Sequence, residues 1–419
     1  MLFRSDVTLS TLEDTAYNFA AADFGFDDSA DAPADNALLS VIITTLPADG
    51  ILELSGVAVT AGDEILAGDI ANLTFTPTSN ENGVGYTSFT FQVRDDGGTA
   101  NGGIDTDQSP NTVTFDVVSV NDEPAGADNT IGINEDTAYT FAALDFGFSD
   151  VNDTPADTFD AVIITSVPAG GTLTLSGVGV TAGQSIAVAD IPNLVFTPAA
   201  NVNGLAADSF TFQVVDDGGT ANGGVDTDQS ANTMTFDITS VNDAPDGADA
   251  TVSTLEDTTY VFSAGDFGFS DVNDAPDNFN SVFIDTLPVS GTLFLSGVAV
   301  TAGDEISIAD ITGGNLTFDP VANENGAGYA SIDFRVRDDG GTANGGVDTD
   351  GTANTLTIDV VSVNDAPAGA DNTLTILEDA AYTFGAGDFG FSDVNDTPAN
   401  NFDAVIITSV PAGGTLTLS

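Results

Sequence analysis

The chain has 419 residues, 42% of them apolar and 28 of them Phe, enough for two to four domains that each bury a core. Against 65 acids stand four bases, all Arg, and the net charge of −61 excludes nucleic acid and anionic membrane as partners, because nothing here neutralises phosphates. Cys and His are absent, which removes disulfides, thiolate and imidazole metal sites, cysteine nucleophiles and the commonest general base.

The acids are 55 Asp and only 10 Glu. Glu suits helices, whereas Asp occupies turns and loops and ligates hard cations, so the bias points to loops and to calcium. An acidic surface adapted to a salty medium gives a second reading of the same composition. No apolar run approaches the roughly 18 to 20 residues needed to span a bilayer, so direct membrane insertion is not expected. The opening MLFRSDVTLS has no signal-peptide core, and an extracellular or cell-surface location would require an export signal outside this sequence.

Self-comparison reveals one unit in four copies. Asp14, Asp136, Asp257 and Asp379, each in an LEDT-like motif, lie 122, 121 and 122 residues apart. A period this long means whole domains in series, expected at 1–122, 123–243, 244–365 and 366–419, the last shorter than the others. In chain order the second copy predicts strands at Thr130–Ile133, Ala138–Phe146, Ala161–Val167, Gly171–Val178, Asn193–Pro198, Ser209–Val215 and Asn232–Val241. Alternation such as Phe89, Phe91 and Val93 in SFTFQV gives each strand one apolar face, and Phe at these places is core. About seven short strands per copy and no amphipathic helix read as an all-β chain of tandem immunoglobulin-like sandwiches.

Loops of such a sandwich alternate between its two ends. The acidic turn after the first strand and the N-x-NG segment then share the end beside the exit linker VND. The SDVND loop and the repeated VVDDGGTANGGVDTDQS loop share the end that meets the preceding domain. At the first joint this sets Glu13, Asp14, Glu81 and Asp122 against Asp150, Asn152, Asp153, Asp216 and Asp217. The second joint sets Glu135, Asp136 and Asp243 against Asp271, Asn273, Asp274, Asp338 and Asp339. The third sets Glu256, Asp257, Glu324 and Asp365 against Asp393, Asn395 and Asp396. Each close pair of carboxylates costs roughly 1 to 4 kcal/mol, and no Lys is available to offset it. A divalent cation is the economical counter-charge, and calcium accepts six to eight oxygens in loose geometry.

The VNDAP linkers, the DVNDTP loop and the FxVxDDGG segment resemble the cadherin-like tandem repeats, including those of the VCBS kind, of large bacterial surface and secreted adhesins. The resemblance implies an elongated array of cadherin-like sandwiches with calcium at the joints and a stalk or adhesive role outside the cell, as in a biofilm matrix. It carries linker ligands onto Asp122, Asp243 and Asp365, first-turn acids onto Glu13, Glu135 and Glu256, and incoming-loop acids onto Asp150, Asp271 and Asp393. The first copy departs with Ala30 where Asn152 stands, and the second with Val202 where Glu81 and Glu324 stand.

Other readings fit less well. DDGG suits a tight hairpin turn without metal, and VND an Asx turn before Pro. The pairs Asp226 and Asp228, and Asp348 and Asp350, read equally as ligands or as solvated loop. A phosphate cradle fails because the flanking Asp would repel phosphate. A glycosidase carboxylate pair has no specificity among 65 acids, and Trp is absent. No enzymatic activity is expected, since a catalytic site is normally built once. A self-assembling filament or surface-layer subunit is the alternative to a stalk, with a short fourth copy offering strand edges to another chain. What such a stalk adheres to is not written in these residues.

Overall fold

The structure, a computed structural model, describes residues 6–28, 36–274 and 277–418. Ala30, a departure noted in the sequence, lies outside the described residues. The chain divides into two compact units, Met1–Thr239 and Ser240–Ser419. The first unit holds two sandwiches and the second holds one, followed by the residues of the fourth copy.

The first sandwich is built from β1 (Val7–Leu12), β2 (Tyr17–Asn18), β3 (Leu38–Ile43), β4 (Ile51–Leu54), β5 (Val57–Ala58), β6 (Glu64–Leu66), β7 (Leu73–Thr76), β8 (Gly83–Asp95) and β9 (Asn111–Val118). One sheet runs β1-β9-β8-β3-β6 and the other β2-β7-β4-β5. β1 pairs parallel with β9, while β8 runs antiparallel to β9 and to β3. The same two sheets recur over residues 129–239 and 250–361. Fold class and tandem arrangement thus agree with the sequence reading.

The alternation that predicted the strands also builds the core. Along β8, Phe89, Phe91 and Val93 are buried on one face. The facing sheet contributes Phe75, which stacks on Phe115 at 4.0 Å; in the second repeat Phe196 stacks on Phe236 at 3.8 Å. Such rings supply both buried apolar area and shape specificity. Ile358 stands at the corresponding place in the third core.

The strand count differs from expectation, nine per repeat among the described residues against about seven. The predicted strand Ala138–Phe146 is only Tyr139–Thr140, followed by a 3-10 turn at Ala143–Phe146. Asp145 makes that turn, accepting the Ala142 amide at 2.8 Å and the Tyr139 hydroxyl at 3.0 Å, and so drives Phe146 inward. The DFGF motif is therefore a turn that plants a core Phe. The predicted strand Gly171–Val178 folds into a hairpin of Gly171–Leu175 and Val178–Gly179, with Ser176 and Gly177 at φ +50° and +79°. Positive φ at both central residues matches the twist of a two-residue hairpin. The short strand Gln184–Ala187 carries no clear period and was not anticipated.

Gly171 is required by packing. A Cβ there would lie 2.6 Å from Phe196 Cε2 and 2.7 Å from the Thr197 carbonyl oxygen. Gly171→Ala is expected to destabilise the second repeat by about 1–3 kcal/mol, readable as a lowered midpoint in chemical denaturation of the intact chain.

Candidate metal centres at the linkers

Within the first unit, three segments meet at one buried carboxylate. Glu13 lies in the turn after β1 and is 3% exposed. Its Oε2 accepts Asn82 Nδ2 at 3.2 Å, and its Oε1 accepts the amide of Val120 in the linker. Asp14 follows at φ +53°, a conformation Asp tolerates, and accepts the Asn80 amide at 3.3 Å. The turn after β1, the segment before β8 and the linker are tied together in this way.

The linker then reaches the second repeat. The Asp122 amide donates to Asp153, 3.0 Å from Oδ2. In the same loop Asp150 Oδ2 accepts the Asp157 amide at 2.6 Å. Asp150, Asp153 and Asp157 each bring a carboxylate oxygen within 4.8 Å of the others. From the glycine-rich loop, Asp216 Oδ1 accepts the Gly218 amide at 2.9 Å and Asn121 Nδ2 at 3.0 Å. Four oxygens at this joint are buried without a hydrogen-bond partner: Asn121 Oδ1, Asp122 Oδ2, Asp150 Oδ1 and Asp216 Oδ2.

The charges perturb one another as such crowding requires. Burial, then the nearby Asp14, Glu13 and Asp150, push the Asp122 carboxyl above its usual range. Asp153 is pushed up to about 7, first by burial and further by Asp150, Asp122 and Asp157. Asp157 and Asp216 also rise, burial leading in both. Among the described residues no Arg offsets these acids. Arg94 pairs with Glu64 and Asp105, Arg335 with Asp285, and Arg337 with Glu305 and Asp348.

The second unit repeats the pattern in two places. At the tip of the third repeat the Asp243 amide donates to Asp274, Asn242 Oδ1 and Asp271 Oδ2 are buried without partners, and burial raises the Asp271 carboxyl. At the linker into the fourth copy, Glu256 accepts Val363 N and, at 3.1 Å, Asn325 Nδ2; the Asp365 amide donates to Asp396 at 3.1 Å. Asp393 accepts the Asn400 amide at 2.7 Å and keeps Oδ1 buried and unpartnered. One end of the Asn323 amide lies 3.3 Å from Asp257 Oδ2 and 3.2 Å from Asp365 Oδ2, while its other end faces Asn395 Oδ1 at 3.3 Å. As nitrogen that first atom donates to both carboxylates; as oxygen it stands beside them as a further potential ligand. Glu135 and Asp136, in the first unit, keep the same local geometry, with Asn203 Nδ2 3.1 Å from Glu135 and Asp136 at φ +58°.

Several expected ligands are placed elsewhere. Glu81 accepts the Tyr86 hydroxyl at 2.5 Å, and Glu324 accepts Tyr329 at 2.7 Å and Ser290 at 2.8 Å, both on the exposed side of the segment. Asp217 and Asp339 are turn caps, exposed and accepting the amides of Thr158 at 2.6 Å and Asn278 at 2.7 Å; those amides hold both carboxyls below their usual range. Asn152 and Asn273 are exposed. The pair Asp226 and Asp228 divides similarly. Burial opposes its ionisation, yet Asp228 is held low by donors from Gly126, Ser230 and Asn232, so it is a filled structural cap.

Sequence reasoning passed over Asp157, Asn80, Asn82 and the linker Asn121. The N-x-NG repetition was visible, but choosing Asn over the intervening Glu needs the backbone direction of that segment.

The bacterial Ig domain family matches residues 121–228. Among solved structures, the chain is similar to mouse cadherin-23 EC22-24 at 12% identity, covering 86% of this chain and 96% of that one with a TM-score of 0.42. It is similar to mouse protocadherin-24 EC1-3 at 13% identity, covering 84% and 96% with a TM-score of 0.44. Drosophila N-cadherin EC1-4 follows at 13% identity, covering 87% and 76% with a TM-score of 0.31. None of the curated proteins matches the chain.

Proposed function

We propose that this tandem array of Ig-like, cadherin-like repeats is the stalk of a large extracellular bacterial adhesin or matrix protein, stiffened by calcium at its linkers. The repeat boundaries fall at the linker aspartates Asp122, Asp243 and Asp365. The observation that carries the reading is the set of buried, unpartnered oxygens on Asn121, Asp122, Asp150 and Asp216, with no base among them. Unpaired buried charge is costly, and hard oxygen donors in irregular arrangement suit calcium. Asp122, Asp150, Asp153, Asp157 and Asp216 would hold the ion at the first joint, with Glu13 positioning the linker. The bound cation supplies positive charge that cancels repulsion between the facing acids. Recurrence of these acids in every unit favours architecture over catalysis, and the match of residues 121–228 to a bacterial Ig family supports the bacterial surface setting.

Small-angle scattering of the chain in EDTA, then across a calcium titration, tests this. A maximum dimension that grows and saturates with calcium is expected, with affinity around 0.1 to 1 mM as in extracellular modules. A profile indifferent to calcium would leave the acids as a salt-tolerant surface.

A further inference from the structure

The glycine-rich loop does more than turn the chain. Its geometry points to a receptor for the asparagine of the preceding linker, a clamp that holds the linker on the following repeat. The inference deepens the spacer reading and rests on it; the clamp shares Asp216 with the proposed calcium site but acts through hydrogen bonds that need no ion.

Asn121 leaves the linker and enters the loop of the second repeat. Its Nδ2 donates to Asp216 Oδ1 at 3.0 Å and to the Val225 carbonyl at 2.7 Å, and its own carbonyl accepts the Val225 amide at 2.8 Å. Two glycines make the space. A Cβ at Gly218 would stand 1.9 Å from Asn121 Oδ1, and one at Gly224 would stand 3.0 Å from Asn121 Cβ. Between them Asn222, at φ +58°, folds the loop back so that Val225 faces the linker. A simple hairpin turn needs none of this.

The arrangement recurs in the second unit. Asn242 Nδ2 donates to Asp338 Oδ1 at 3.1 Å and to the Val347 carbonyl at 2.7 Å, and Cβ atoms at Gly340 and Gly346 would meet Asn242 at 1.9 and 3.1 Å. The socket selects its occupant. Both facing groups are acceptors, so the entering side chain must donate twice; Asp would add a charge beside Asp216, and Ala would remove a donor from both Asp216 and the Val225 carbonyl. The linkers at Asn121 and Asn242 are therefore each held by the repeat that follows.

Because the chain has no Cys, Val57→Cys and Val178→Cys, at sites 70% and 71% exposed, give two spin labels on the first and second repeats of the full chain. Pulsed electron spin resonance in EDTA should give a narrower distance distribution for the labelled parent than for the variants, and calcium should narrow it further. Asn121→Asp, which keeps a side-chain oxygen but loses the donor, should broaden it several-fold in EDTA and recover on adding calcium. Gly218→Ala, which fills the socket, should be broad in both conditions. Parent and variants equally narrow in EDTA, or equally broad, would overturn the clamp. Distributions that differ in EDTA but ignore calcium would overturn the calcium reading and leave the clamp standing.

Discussion

Replacing Phe236 with Ala should lower the stability of the second repeat by about 3–5 kcal/mol, among the larger losses a single core truncation produces. Phe236 is fully buried, stacks on Phe196 at 3.8 Å and lies 6.2 Å from both Phe141 and Phe210, so its removal opens a cavity walled by three rings that cannot collapse together. A domain of this size has roughly 5–15 kcal/mol in total, so the variant repeat approaches its folding limit. Differential scanning calorimetry of the intact chain should then show an early transition carrying about one repeat's share of the enthalpy, with the rest melting near the parent temperature. A uniform shift of the whole transition would mean that the linkers transmit stability between repeats. The third repeat offers a natural comparison, since Ile358 stands where Phe236 does, and Ile358→Ala should cost less, about 2–5 kcal/mol.

The elements most legible in the sequence were those whose burial is periodic. Phe89, Phe91 and Val93 announce β8 because alternation is a property of the strand itself. Tyr139–Thr140 and Ala143–Phe146 were merged into one strand because an apolar run does not disclose that Asp145 will bond back to Ala142 and Tyr139. Gln184–Ala187 was missed because a four-residue edge strand is defined by its neighbour, Phe159–Ile164, and not by its own pattern. At the site, loop topology placed Glu13, Asp122, Asp150, Asp153 and Asp216 together by charge and repetition alone. It could not orient side chains within a loop. Glu81 and Asn80 are adjacent, yet one turns to Tyr86 while the other's amide meets Asp14. The glycine-rich loop was read for its acids, and its glycines gain a purpose only once Asn121 is seen between them.

The stability of the first joint in EDTA should fall as pH rises from about 4 to about 7, and calcium should reverse the trend. Asp153 sets the window. Its carboxyl is pushed up to about 7 in the folded joint by burial beside Asp150, Asp122 and Asp157, whereas the unfolded chain releases the proton near its ordinary value. A raised carboxyl contributes stability that is full below about pH 4 and is lost as pH climbs through about 7, because the folded state alone retains the proton across that interval. The shift corresponds to about 4 kcal/mol as a ceiling, reduced to around 2 kcal/mol by solvent screening. Carboxyls held low, such as Asp217 and Asp228, act in the opposite sense but only below their ordinary range, so they leave the interval from about pH 5 to pH 8 undisturbed. Urea denaturation in EDTA should thus give a lower midpoint for the second repeat at about pH 8 than at about pH 5. Calcium requires ionised ligands, so its stabilisation should grow over the same interval and reach about 2.7 kcal/mol per site at a hundredfold excess over its dissociation constant. Asp153→Asn separates the two effects: it should flatten the pH slope in EDTA, raise the midpoint at the alkaline end, and diminish the gain from calcium. A midpoint that rises with pH in EDTA would mean that the crowded acids are compensated by the protein itself, and the cation would then have no repulsion to relieve.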